Sequence, residues 1–124
     1  RYFFAGDTGY FHGFSEFGRR FPGIDVAMLP IGAYAPRWFM RYQHMDPAEA
    51  YRAFVDLGAR HFLPMHWGTF DLTDEPVDEA PRELRRAVER AGATMDAIRI
   101  LAVGESWHVP DRAAAAPSTA GSLP

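Results

Sequence analysis

The chain has no cysteine among its 124 residues. Disulfides and thiolate metal sites are thereby excluded, and histidine and carboxylate remain as the side chains able to grip a metal ion. Long apolar runs are missing too: nothing approaches the roughly eighteen uninterrupted apolar residues of a membrane span, and the first residues lack the charged-then-apolar layout of a secretory signal. A soluble, cytoplasmic protein is the expectation. Excess positive charge is also lacking, since the net charge is −3 and the basic residues scatter over helical segments. Without a basic patch, nucleic acid is not expected as a partner. No phosphate-cradling glycine loop, nucleophile elbow or His-Glu-x-x-His helix occurs.

What the chain does have is apolar surface. Hydrophobic residues make up 48% and aromatics 15%, with most of the aromatics in residues 1–70. Such a composition calls for a packed core, and a chain of this length holds one domain, expected over residues 1–109. Residues 110–124 are mostly Ala, Pro, Ser and Gly and cannot offset the entropy of ordering, so a loose tail is expected there. The chain starts on Arg1 and enters an apolar run at once, which reads as a piece of a longer protein.

Arg1 to Gly6 is short, aromatic and closed by a Gly-Asp-Thr-Gly turn, the pattern of a buried strand. Phe11, Phe14, Phe17 and Phe21 then recur at helical spacing up to Pro22-Gly23, predicting a helix with an aromatic core face. Ile24 to Gly32 reads as a second inner strand, and Ala33 to Gln43 as an aromatic-rich loop. Asp46-Pro47-Ala48-Glu49 carries an N-cap residue, proline at the first helical position and glutamate at the third, predicting a helix to Gly58. A strand over Arg60–His66, a polar turn-rich stretch over Asp71–Pro81, a helix over Arg82–Ala91 and a last strand over Ile98–Val103 complete the pattern. Strands alternating with helices define an α/β fold of largely parallel strands. With so few helices, one face of the sheet is expected to take its cover from other sequence.

Two metal-ligand side chains stand where strands run out: Asp7 after Phe3-Phe4-Ala5-Gly6, and His66 after Leu63-Pro64-Met65. In α/β sheets ligands bind beyond the carboxyl ends of the strands. Asp7 could equally cap its own turn through the Gly9 or Tyr10 amide, and a lone histidine such as His66 is often only hydrogen-bonded structure. His44, just ahead of the Asp46 helix entry, could serve a substrate as proton donor or remain a loop histidine. His61 reads as structural, and His12 and His108 have weaker claims. Asp74 and Glu75 before Pro76 read as a solvated turn. Tyr10, Tyr34, Trp38 and Phe39 are candidates for an apolar substrate wall.

Phe4-Ala5-Gly6-Asp7-Thr8-Gly9-Tyr10, Leu29-Pro30-Ile31-Gly32-Ala33-Tyr34 with Pro36-Arg37, His44-Met45-Asp46-Pro47 with Glu49-Ala50, and His66-Trp67-Gly68-Thr69-Phe70 with Glu75-Pro76 together resemble the C-terminal half of a metallo-β-lactamase-fold hydrolase. Within that superfamily they are similar to the branch containing N-acylphosphatidylethanolamine-hydrolysing phospholipase D. The resemblance covers about residues 1–105. It implies a four-layer αββα sandwich with a mixed sheet, Asp7 as a carboxylate bridging two zinc ions, His66 as a terminal ligand and His44 facing the substrate. It further implies a phosphodiesterase acting on a phospholipid or other small molecule, with peripheral membrane contact. The family's His-x-His-x-Asp-His segment and its further histidine belong to the N-terminal half and do not occur here, so this chain alone is expected to bind metal weakly and catalyse little. A sugar-phosphate lactonase-like hydrolase is the alternative among enzymes, and a non-catalytic α/β binding module the alternative outside them.

Overall fold

The computed structural model describes residues 1–112. The part of the expected tail from residue 113 onward lies outside them. Three strands, β1 (Tyr2–Phe4), β2 (Val26–Pro30) and β3 (His61–Met65), form a sheet in chain order, every pair parallel. Helix α1 (Gly13–Arg20) links the first two strands; α2 (Arg37–Met40) and α3 (Pro47–Leu57) lie between the second and third; α4 (Glu79–Arg90) follows.

Phe11 and Phe21, expected on the core face of the first helix, lie outside α1 and are 46% and 55% exposed, leaving Phe14 and Phe17 as its aromatic stripe. The element pattern expected from the sequence is otherwise recovered with three corrections. Ala33–Gln43 is not wholly loop, because Arg37–Met40 closes one helical turn on the carbonyl of Pro36. Helix α4 begins at Glu79 and not Arg82, since Pro81 falls in the first turn, where a helix needs no N–H. The strand expected over Ile98–Val103 shrinks to a single parallel bridge between Ile98 and Phe62. Arg99 still donates to the Phe62 carbonyl at 2.9 Å, but Ala102 turns its amide to the Glu105 carboxylate at 2.8 Å and the ladder stops.

Helix α3 starts where the sequence says it should. The Asp46 carboxylate accepts from the Glu49 amide at 2.8 Å, the Glu49 carboxylate accepts from the Asp46 amide at 3.2 Å, and Pro47 occupies the first turn. Gly58 ends the helix in the left-handed region at φ 61°, which costs an L-residue but not glycine. The helix buries Ala50, Ala53, Phe54 and Leu57, and Phe54 stacks on Phe62 of β3 at 5.5 Å.

Alternation along parallel strands divides the sheet into two unlike faces. Phe3, Ala27, Phe62, Leu29 and Pro64 share the face toward the helices, where Phe14, Leu57, Leu84 and Val88 complete a continuous core. The opposite face carries Tyr2, Val26 and His61 in one row, Phe4, Met28 and Leu63 in the next, then Pro30 and Met65. Tyr2 and Phe4 are 66% and 67% exposed, and Trp107 meets His61 edge-on at 5.0 Å. Val26 and Pro30 on this face are buried and Met28, Leu63 and Met65 half-buried, so its open apolar surface is Tyr2 and Phe4 along β1, in a sheet type ordinarily covered on both sides. No helix among the described residues is long and apolar enough to cross a membrane.

Removing the cap should weaken the element that carries the core. Asp46→Ala is expected to lower unfolding free energy by about 1 kcal/mol, with most of it recovered in Asp46→Ser, as read from urea midpoints.

Candidate metal centre

Because β1, β2 and β3 run the same way, their carboxyl ends share one rim, and the segments that follow them converge there. Asp7 leaves β1 through Gly6, which adopts φ 65°. His66 directly follows β3 and itself sits at φ 59°, a conformation that costs a side-chain-bearing residue about 1–2 kcal/mol. Ala33, beyond β2, is held at φ 61°. Two strained non-glycine residues on one rim mark the place where packing dictates backbone shape.

The dictating contact is between Gly32 and His66. A Cβ built on Gly32 would lie 2.2 Å from the His66 carbonyl oxygen, so the two segments touch backbone to backbone. The Ile31 amide donates to the Met65 carbonyl at 3.1 Å just before it, and the Met45 amide to the Thr8 carbonyl at 3.1 Å ties the His44 turn to the Asp7 turn.

Asp7 Oδ1 lies 3.5 Å from His66 Nε2. That is longer than an N–H to oxygen hydrogen bond, which runs about 2.7–3.2 Å. It matches the edge of about 3.4 Å expected between two donors of a tetrahedral zinc ion with bonds of about 2.0–2.1 Å. The Asp7 side chain is 67% exposed and accepts no backbone hydrogen bond among the described residues, so it does not cap its own turn. The imidazole of His44 stacks on that of His66, ring centres 5.1 Å apart and planes within 25°. Burial, and then the neighbouring His66, hold the His44 imidazole below its ordinary pKa, favouring the neutral ring; its Nδ1 is buried without a hydrogen-bond partner. Asp7, His44 and His66, scattered in the sequence, thus meet in one cluster. Among the described residues no three His, Asp or Glu side chains converge tightly enough to hold an ion by themselves. The pair fits two corners of a coordination shell and leaves the others to be supplied.

The expected aromatic wall is placed differently. Tyr34 is 8% exposed, packed in the core with its hydroxyl donating to Glu79 at 2.5 Å, and burial and Glu79 drive its pKa up. It is a core residue because its short loop turns it under α4. Trp38 is 77% exposed and stands against Phe39, away from the cleft beside His66. Tyr10 donates to Asp56 at 2.6 Å, which raises its pKa, and lines a second cleft of about 380 Å³ with Thr8, Phe11, Arg41 and Tyr42. The cleft that opens on His66, about 240 Å³, is walled by Trp67, Phe70, Leu72, Val77 and Ala80. All but Ala80, which lies in the first turn of α4, follow β3 in an irregular segment whose periodicity carries no signal. The two ring nitrogens of His61 are buried without partners among the described residues, and its pKa is lowered by burial and by Arg60.

Glu75 is the largest departure. In place of a solvated turn, it is a buried carboxylate accepting the Tyr34 amide at 3.0 Å and the Ala35 amide at 2.9 Å. Burial pushes its carboxyl up, but the backbone donors, Ala35 foremost, outweigh it and hold the pKa below the ordinary 4.5. The sequence hint was a single acid next to Pro76 with Leu72 and Val77 about it, and that is equally the composition of a surface turn.

A family model described as the beta-lactamase superfamily domain matches residues 1–67. N-acyl-phosphatidylethanolamine-hydrolyzing phospholipase D 1 of Caenorhabditis elegans is 34% identical over 115 residues, which is 90% of this chain and 32% of that protein. The mitochondrial N-acyl-phosphatidylethanolamine-hydrolyzing phospholipase D of Saccharomyces cerevisiae is 40% identical over 73% of this chain and 20% of its own length. Among solved structures, Igni18, a metallo hydrolase from the archaeon Ignicoccus hospitalis, is similar with 30% identity and a TM-score of 0.54, over 80% of this chain and 37% of that one. The chain belongs to the metallo-β-lactamase superfamily. Within it, the chain falls in the branch typified by N-acylphosphatidylethanolamine-hydrolysing phospholipase D, and it spans about a third or less of the length of those curated relatives.

Two outcomes follow. Gly32→Ala should displace the His66 backbone and lower stability by about 2 kcal/mol, with His66 ring resonances moving while those of Phe14 stay in place. Glu75, with its folded pKa depressed, contributes stability that is complete above pH 4.5 and is lost as pH falls below that through the folded pKa. The stability gap between wild type and Glu75→Gln should therefore shrink on acidification; a gap that is flat or widens, measured by urea unfolding between neutral and acid pH, contradicts the assignment.

Proposed function

We propose that residues 1–109 form the C-terminal half of an αββα hydrolase domain and bring Asp7 and His66 to a binuclear zinc centre that hydrolyses a phosphodiester, as an N-acylphosphatidylethanolamine phospholipase D-like enzyme. The observation that carries this reading is the 3.5 Å convergence of Asp7 and His66 at the rim of a parallel sheet. The names of the C. elegans and yeast relatives support the reaction class, and exposed Tyr2 and Phe4 on the outer face of the sheet support packing against a second sheet.

When bound, the metal pair supplies Lewis acidity and a water of lowered pKa. Asp7, with two carboxylate oxygens and most of its side chain free, suits a bridging position that a single imidazole nitrogen cannot fill. His66 offers Nε2 from a backbone held rigid by Gly32. His44 presents its ring alongside, held toward the neutral form and able to donate a hydrogen bond to a substrate oxygen. The cleft formed by Trp67, Phe70, Leu72, Val77 and Ala80 takes an apolar part of the substrate and excludes water from that side of the centre. A phospholipid substrate brings the enzyme, otherwise cytoplasmic, into peripheral contact with a membrane, for which exposed Trp38, Phe39 and Tyr42 beside Arg41 are suited.

Metal content of the purified intact gene product tests the assignment. Wild type should carry close to two equivalents of zinc, and Asp7→Ala or His66→Ala should lose at least one with phosphodiester hydrolysis falling by about a hundred-fold or more. A wild type without bound metal, or variants that retain all of it, refutes it.

A further inference from the structure

We infer that Arg37 is a positioning residue for His44, locking the turn that carries it against the loop after β2. For its kinetic consequence the inference rests on the function proposed above; for its structural content it stands alone.

The His44 ring has little to hold it. Among the described residues its buried Nδ1 has no hydrogen-bond partner and its one aromatic neighbour is the His66 ring. The orientation of the imidazole must therefore come from its backbone. The His44 amide donates to the Met40 carbonyl at 2.9 Å, and its carbonyl accepts from Arg37 Nη1 at 3.0 Å. Nη1 also donates to the Tyr34 carbonyl at 3.0 Å, Nη2 donates to Glu49 Oε2 at 2.5 Å, and Nε faces Asp46 Oδ2 at 3.5 Å. One guanidinium thus joins the loop after β2, the His44 turn and both members of the box that caps α3.

The far end of this link is fixed. Tyr34, whose carbonyl Arg37 holds, has its amide bound by Glu75 and its hydroxyl bound to Glu79. The connection runs from the segment after β3 and from α4, through Tyr34 and Arg37, to His44. A planar fork with five N–H donors can meet four acceptors on three segments at once; an ammonium on a flexible stem cannot. A residue that only paired with the acids of the α3 cap would tolerate lysine. One that sets the His44 carbonyl would not.

The test uses the intact gene product. With metal removed, the His44 ring protons in wild type should be shifted by the stacked His66 ring; in Arg37→Lys they should move toward the positions of an unstacked imidazole while the core methyls of Leu57, Leu84 and Val88 stay in place. With zinc restored and bis(p-nitrophenyl) phosphate as the probe, Arg37→Lys should keep its metal and its KM within about two-fold while kcat falls about ten-fold or more. Guanidinium ion added to Arg37→Ala should restore stacking and part of kcat, and methylammonium should restore neither. Unmoved His44 resonances in folded Arg37→Lys, or equal rescue by the two cations, overturns the inference. A wild type that binds no zinc and turns nothing over would sink the proposed function instead, and the resonance measurement would still decide the role of Arg37.

Discussion

Everything at the rim depends on the backbone contact between Gly32 and His66. Parallel strands bring their carboxyl ends to one side, but proximity within several ångströms does not make a pair of ligands. The absence of a side chain at Gly32 lets the His66 carbonyl press against the β2 loop, and His66 takes up a left-handed backbone there. That conformation turns the imidazole toward Asp7. A strained histidine persists only where its surroundings over-determine it, and here the surroundings are a glycine below, the Ile31 to Met65 hydrogen bond beside it and the stacked His44 ring above.

Around this contact polar groups tie the loops to one another. Glu75 takes two amides of the β2 loop, Arg37 takes that loop's Tyr34 carbonyl and passes on to His44, and Met45 reaches the carbonyl of Thr8. Each hydrogen bond is modest in net worth, but leaving a buried donor or acceptor unmade is costly, so a network of this kind narrows the choice of loop shapes. These loops are thus held to one geometry while the Asp7 carboxylate stays open to solvent. On the second face of the sheet, Tyr2 and Phe4 stand exposed beside half-buried Met28, Leu63 and Met65.

Much of the framework was legible in the residues. The box at Asp46 and Glu49, the aromatic face of α1 and the short apolar runs of β1, β2 and β3 are local signals, set by hydrogen bonds and periodicities within a few residues of one another. Asp7 and His66 could be singled out because strand ends are where α/β sheets bind ligands, and His44 because it precedes a strong helix start. Tyr34, Trp38 and Glu75 could not be read correctly. An aromatic in an irregular loop and an acid next to proline look alike whether they face solvent or a helix, and only the path of α4 turned Tyr34 and Glu75 inward.

The sequence by itself determined the three strands, the helices α1, α3 and α4, their order and the family, because those follow from nearest-neighbour chemistry and from four motifs in fixed succession. The tertiary structure alone decided that Asp7 and His66 lie 3.5 Å apart, that a cleft opens beside them through residues 67–80, and that Glu75 and Arg37 act as braces. Those facts depend on contacts between residues tens of positions apart. No periodicity along the chain encodes them; they exist only once the strands have paired and the loops at their ends compete for the same small volume.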